Sequence, residues 1–306
     1  MERQPDPLLE VSEEIATALA EHRPVVALES SLITTDPSSE TASLIEKAVR
    51  DAGAVPATIG IAGGKLVVGL TDTLIERFAT TKGIPKISSR DIGASLAGGG
   101  LGATTVAGTI VIAERAGIQV FTTAGIGGVH RRGQDTLDIS PDLLQFRRTR
   151  MTVVSGGAKS ILDHRLTAEY LETAGIPVFG YRTDRLPAFV VRDVEVPVTR
   201  MDDLRTAARA AEAHWQVNGP GTVLLTSPID ERDAVNGALV EAAIADALDR
   251  CDRAGVVGNA VSPYLMKALA KASDGLMPRA GRSLLLSTAR VAGEFSVALS
   301  AVQAER

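Results

Sequence analysis

The sequence is poor in most features that assign a protein at a glance. It has one cysteine, Cys251, among 306 residues. That excludes an intramolecular disulfide framework and a thiolate metal cluster, and leaves the helical stretch "ALDRCDRAG" to use it for packing. Aromatic residues make up only 3% of the chain and the net charge is -5, so neither stacking platforms nor a basic footprint for nucleic acid is present. Apolar segments are short and broken by charge, none approaching the ~18 residues of a membrane helix, and "MERQPDPLLE" at the N-terminus has no signal-peptide core. The glycine-rich stretch "GGGLGATTVAG" contains neither GK[ST] nor GxGxxG, so it is neither a P-loop nor a dinucleotide fingerprint. These absences leave a cytoplasmic globular protein with a small-molecule partner, without nucleic acid or membrane.

What is present is a 45% hydrophobic content, enough for one large core. Apolar β-type runs alternate with helical patterns: "PVVALES", a helix from about Glu40, "ATIGIAGGKLVVGL", a helix near Leu74, "PKIS", "IQVFTT", "MTVVS", "IPVFGY" and "AFVV". This alternation predicts an α/β fold of three layers, α/β/α, with a mainly parallel central sheet and a helix-rich C-terminal third containing one further strand, "GTVLLTS". Gly63-Gly64 can supply the positive φ of a tight antiparallel hairpin inside "IAGGKLVV". No proline-rich linker or repeat divides the chain, so residues 1–306 read as one domain. Trp215, in the Ala-rich pattern "DDLRTAARAAEAHW", reads as a core anchor.

Four features could carry chemistry. In "VVSGGAKSILD", Lys159 follows a buried strand and falls in the first turn of an expected helix closed by Gly175. The positive end of a helix dipole is an unfavourable place for a cation. Such breaks of a local rule occur at functional sites, although a plain Lys159–Asp163 surface pair is the other reading. Glu29 ends the strand "VVALES", where open α/β sheets place their ligands, and is equally an N-cap or solvated loop residue. Lys86 opens "KISSRD", and Thr104 and Thr105 beside an expected helix start at Ala103 would make a phosphate cradle. "TAGIGGVHRRGQDTLDISPD" gathers His130, Asp138 and Asp142 in a long polar loop, with donors suited to Mn²⁺ or Mg²⁺ rather than closed zinc. Asp142 is also a candidate helix cap.

"ALES", "GAVPATIGI", "KISSRD", "GATTVA", "VFTTAGIGGVHR", "LDISPDL", "GAKSILD" and "EYLETAGIPVFGYRTDRLPAF" together resemble, in order and over most of the chain, the pseudouridine-5′-phosphate glycosidase family. The resemblance implies an α/β/α fold, a homotrimer, a divalent metal (usually Mn²⁺) and cleavage of the C–C bond between ribose 5-phosphate and uracil. It makes Lys159 the imine-forming nucleophile and Glu29 the proton donor. It assigns Lys86, the backbone at Val106, Ser140 and Asp142 to the sugar phosphate and Asp138 to the metal. His130 is expected as a phosphate contact or as a support behind the metal ligand. The chemistry suits these residue types, because a C-glycosidic bond has no leaving-group oxygen to protonate and an amine can instead hold the opened sugar's C1 as an iminium. A helix N-terminus and the nearby Lys86 cation would both favour the neutral, reactive amine at Lys159.

The chain also departs from that family. The loop "ESSLITTDPSSETA" after Glu29 is shortened and lacks the usual histidine and asparagine, and the "SNI" and "NNA" patterns near the C-terminus have become "AGR" and "STA". Ser287 and Thr288, in the aglycone pocket the resemblance implies, cannot match the imide edge of uracil. The chain therefore most resembles the family's C-glycosynthase branch, which joins ribose 5-phosphate to an aromatic polyketide in antibiotic biosynthesis. The ordinary glycosidase is the second reading and a non-catalytic sugar-phosphate-binding relative the third.

Overall fold

A computed structural model describes residues 6–35 and 39–305, apart from the side chain of Asn259. Its strands are β1 (Leu9–Val11), β2 (Val25–Glu29), β3 (Val55–Ala62), β4 (Lys65–Val68), β5 (Lys86–Ile87), β6 (Gly102–Thr104), β7 (Val120–Thr122), β8 (Met151–Ser155), β9 (Val178–Tyr181), β10 (Arg185–Ala188), β11 (Val191–Pro197), β12 (Thr199–Met201) and β13 (Thr222–Thr226). The helices are α1 (Glu13–Ala20), α2 (Glu40–Asp51), α3 (Asp72–Thr80), α4 (Ile92–Gly98), α5 (Val106–Ala116), α6 (Gly133–Thr136), α7 (Pro141–Phe146), α8 (His164–Thr173), α9 (Leu204–Asn218), α10 (Gly237–Arg253), α11 (Val261–Ala272) and α12 (Leu276–Ala304).

The main sheet runs β1-β4-β3-β2-β7-β8-β13-β9-β12, with β5 and β6 attached beside β3. From β3 to β12 every neighbouring pair along that path is parallel, as the alternation predicts. The central strands β2, β8 and β13 are buried at every residue. Helices cover both faces, so these strands have no solvent side and read as unbroken apolar runs. One layer holds α2, α9 and α12, with α12 lying across β2, β7 and β8, while α5 packs on β2 and β3. The β3–β4 hairpin forms as expected, with Gly63 at φ 58° and Gly64 at φ 75°. Trp215 is a core anchor: its Nε1 donates to the Gly221 carbonyl at 2.7 Å and the Arg150 guanidinium stacks on its ring. Cys251 is buried at the end of α10, and burial raises its thiol pKa.

Three expectations fail here. "AFVV" is not a strand but the turn of a separate antiparallel hairpin, β10–β11. Phe189 takes φ 63° because its N–H donates to Gly156 O at 2.7 Å and its ring lies against Gly125, where a Cβ would come within 2.6 Å. Tertiary contacts thus override the β propensity of the run. The helix expected at Ala103 begins at Val106, because Gly102–Thr104 pairs with β3 and β5 as β6. Finally, α12 is long and apolar enough to cross a membrane by length and composition, although the sequence shows no unbroken apolar run. More than half of its apolar window is buried against α2, α9 and the sheet, so its hydrophobicity serves the core.

Candidate active site

The expected site residues come largely from the carboxyl ends of adjacent parallel strands, where such sheets bind ligands. Glu29 ends β2; Thr123 follows β7; the loop from Ala124 to Ser140 continues from it; and the turn holding Lys159 follows β8. A cleft of about 1410 Å³ is lined by Lys86, Ser88, Thr105, His130, Asp138, Ser140, Asp142 and Lys159, whereas Glu29 lines a separate small hollow with Leu32, Ile33 and Thr58. Sequence positions far apart are therefore brought into one hollow.

Lys159 lies in this cleft, but not on a helix. α8 starts at His164 with Asp163 as N-cap, its carboxylate accepting from Leu166 N at 2.9 Å. The helix-dipole argument for Lys159 falls with that boundary, and so does the surface Lys159–Asp163 pair as the reason for its position. A backbone frame holds the lysine instead: its N–H donates to Ile126 O at 3.1 Å and its carbonyl accepts from Leu162 N at 2.9 Å. Gly157 makes that frame possible, with φ 84° and the Pro187 carbonyl 1.9 Å from where a Cβ would stand. The amine whose charged form is disfavoured in this cleft is that of Lys86. Lys86 is reached from the open cleft, yet the walls around it remove enough water that burial, followed by the charge of Lys159, pushes its amine below the usual lysine value, against the opposing pull of Glu29. A second cation facing the same hollow lowers the pKa of Lys86, as like charges do.

Glu29 is neither a cap nor a solvated loop residue. It is 8% exposed, and its carboxylate accepts from Ser31 Oγ at 2.6 Å and Thr123 Oγ1 at 2.7 Å. These two hydroxyls were not singled out from the sequence, because only the fold brings Thr123 to the end of β2. The loop beyond Glu29 continues as a single 3-10 turn, Ile33–Thr35, and its residues 36–38 lie outside the described residues.

The phosphate cradle is assembled differently from the expectation. Thr104 points into the core, its hydroxyl donating to Ile59 O at 2.7 Å and accepting from Thr109 Oγ1 at 2.9 Å, so it does not line the cleft. Thr105 does, as N-cap of α5, and Val106 contributes the first residue of that helix while its side chain is buried. Ser140, rather than Asp142, caps α7, accepting from Asp142 N at 3.2 Å. Both carboxylate oxygens of Asp142 are used: Oδ1 accepts from Ala107 N at 3.0 Å and Oδ2 from Gly127 N at 2.8 Å. An anion so placed would repel a phosphate, and its role here is to fasten the start of α5 to the loop after β7. Gly127 is required for that approach, since a Cβ would stand 2.1 Å from Ser140 Oγ.

His130 is 8% exposed, with Nε2 2.9 Å from Ser262 Oγ on α11 and Nδ1 3.8 Å from Asp138 Oδ2. Burial lowers its pKa, with Lys159 adding to that effect and Asp138 opposing it. The next residue, Arg131, pairs with Glu241 on α10 through two contacts of 2.7 Å. No group of three or more His, Cys, Asp or Glu side chains that could hold a metal occurs among the described residues. A closed zinc site therefore does not fit, whereas the Asp138 carboxylate, part-exposed in the cleft, suits a divalent ion held mainly through water.

Ser287 and Thr288 are not brought to the cleft. Both lie inside α12, and Thr288 is fully buried with its hydroxyl donating to Leu285 O at 3.0 Å one turn back. The aglycone pocket expected from these two residues is not formed by them.

Residues 14–298 match the family described as indigoidine synthase A like protein. The chain is 48% identical to a pseudouridine-5′-phosphate glycosidase of Dickeya dadantii, over 95% of this chain and 94% of that one. It is 42% identical to another from Caldanaerobacter subterraneus, over 97% and 98% of the two chains. Among solved structures, the prealnumycin C-glycosynthase AlnA in complex with ribulose 5-phosphate shares 88% identity at a TM-score of 0.96, covering 99% of this chain and 100% of that one. An indigoidine synthase A-like protein of Thermotoga maritima superposes at a TM-score of 0.87 with 29% identity, covering 98% and 99% of the two chains.

Proposed function

The chain belongs to the indigoidine synthase A-like family, alongside its pseudouridine-5′-phosphate glycosidase relatives, and from that premise we propose that it is a C-glycosynthase coupling ribose 5-phosphate to a hydroxylated polycyclic aromatic. That it is an enzyme of the C-glycosidase and C-glycosynthase kind follows from the relatives themselves. The observation that carries the finer reading is the pair of lysines, Lys86 and Lys159, facing one cleft with the buried Glu29 acting on Lys86. In this reading the Lys159 amine condenses with the aldehyde of the opened sugar and releases water, leaving C1 as an iminium carbon. The aromatic carbon adds to C1 and loses its proton to Glu29; a sugar hydroxyl then replaces the lysine amine as the ring recloses. Lys86 keeps the site electropositive and anchors the phosphate. The prealnumycin enzyme's likeness over the whole chain favours a polyketide aglycone in antibiotic biosynthesis, and the cleft's size leaves room beyond a sugar phosphate.

Side-by-side assays test the direction. Coupling to a hydroxynaphthoquinone-type acceptor should be readily detected, and pseudouridine 5′-phosphate should be cleaved poorly. Release of uracil at a kcat of roughly 1 s⁻¹ or more, a rate ordinary for a working enzyme, would instead make this a glycosidase. The 48% identity to a named glycosidase is what keeps that second reading in play.

A divalent ion, Mn²⁺ before Mg²⁺, is part of the proposal, with Asp138 as its protein ligand. When bound it would order the loop and the waters around the phosphate. Mn²⁺ binding followed by electron paramagnetic resonance should show one site, weakened at least tenfold in Asp138→Asn. Unchanged Mn²⁺ affinity in that variant removes Asp138 from the role. The homotrimer implied by the sequence resemblance belongs to the same proposal, and sedimentation equilibrium reads it directly.

A further inference from the structure

Successive residues of the cleft loop, His130, Arg131 and Arg132, all reach to the helix pair α10–α11. Arg131 pairs with Glu241 through two contacts of 2.7 Å, and Arg132 Nη1 donates to Asp252 Oδ2 at 2.6 Å, both acids lying on α10. Ion pairs this exposed add little stability singly, so their effect is to fix where the helix pair stands against the loop. The remaining contact falls inside the cleft. His130 Nε2 lies 2.9 Å from Ser262 Oγ in the first turn of α11, and both residues line the hollow. Ser262 does not spend its hydroxyl on its own helix, whose N-cap, Ala260, makes no side-chain cap either. Neither the resemblance nor the relatives give this serine a role.

The Ser262–His130 hydrogen bond has two senses, and the far side of the ring decides between them. A neutral imidazole carries an N–H on one nitrogen and a lone pair on the other. Nδ1 faces Asp138 Oδ2 at 3.8 Å, and the backbone holds the same two residues together, His130 N donating to Asp138 O at 2.9 Å. A carboxylate repels a lone pair and attracts an N–H, so the proton belongs on Nδ1 and Nε2 accepts from the serine. The gap of 3.8 Å is too long for a direct hydrogen bond and suits one bridging water. We propose that Ser262 is a positioning residue: its hydroxyl donates to His130 Nε2 and holds Nδ1–H toward Asp138, aiming that carboxylate into the cleft for a divalent ion. Groups behind a metal ligand set its orientation in this way. The assignment rests on the reading of Asp138 as the ligand of that ion.

Heteronuclear NMR of the side chains locates the proton in the metal-free full chain, whose four histidines leave few signals to assign, with His130→Asn identifying the one in question. Wild type should carry the His130 proton on Nδ1 at neutral pH. Ser262→Ala should lose that preference, and Ser262→Thr, which keeps a hydroxyl, should restore it. Mn²⁺ affinity followed by electron paramagnetic resonance should fall about tenfold in Ser262→Ala and return to within about twofold of wild type in Ser262→Thr. The melting temperature should hold in both variants, because the buried Leu265 and Leu269 seat α11 in the core. A wild-type proton on Nε2 would overturn the proposal, and so would unchanged Mn²⁺ affinity in Ser262→Ala. A melting temperature lowered by several degrees, with Mn²⁺ binding that threonine does not restore, would make Ser262 structural instead. Wild type that binds no Mn²⁺ would sink the ligand reading of Asp138, while a proton on Nδ1 that Ser262→Ala displaces would leave the serine's hold on His130 standing.

Discussion

Lys159→Ala should abolish turnover under the proposed imine mechanism, with kcat falling about 10⁴-fold or more, the scale on which loss of a covalent nucleophile acts. In the wild-type enzyme, borohydride with ribose 5-phosphate should fix a pentose phosphate on Lys159, read as a mass increase on the peptide that contains it. The variant should lose that adduct and keep its fold, because Lys159 is held through its backbone, to Ile126 and Leu162. The cleft's other amine makes this a sharp test. Lys86 has its charged form disfavoured by burial and by Lys159, so the alternative nucleophile is present in the same hollow. A wild-type adduct found on Lys86 alone would exchange the two roles.

Glu29→Gln separates the proton transfer from sugar activation. The carboxylate sits between two hydroxyl donors, Ser31 at 2.6 Å and Thr123 at 2.7 Å, so an amide of the same shape fits but cannot accept the aglycone's proton. Coupling should slow by about 10²- to 10⁴-fold, the range of a positioned general base. The Lys159 imine should still be trapped by borohydride, since in the proposed mechanism the iminium forms before the aglycone loses its proton. Loss of imine and coupling together would show Glu29 acting on the sugar. Coupling at the wild-type rate would remove it from the chemistry.

How far the sequence reaches into this site differs from residue to residue. Lys86 and Lys159 were recognisable, and the structure does place them in one cleft. Lys159 precedes α8 rather than opening it: apolar spacing cannot tell the last loop residues from the first helical turn, and Asp163, a good N-cap, sets the start at His164. Thr104 and Thr105 are adjacent hydroxyls in sequence, and strand alternation at β6 sends one into the core and the other to the cleft. Thr123 lies inside the block "VFTTAGIGGVHR", but only the fold sets its hydroxyl 2.7 Å from Glu29.

The sequence by itself determined the α/β class, the mainly parallel sheet, the Gly63-Gly64 hairpin and the buried Trp215. Those follow from local periodicity, turn chemistry and side-chain chemistry, all of which act over a few residues. Tertiary structure alone decided which groups share the cleft and which are spent on the fold. Asp142 finds the amides of Ala107 and Gly127, 35 and 15 residues away. Thr288 turns back to its own helix, and Phe189 takes a left-handed backbone to dock on Gly156. Each is settled by which buried donor or acceptor must find a partner once the chain is packed, a demand that spacing along the sequence does not encode.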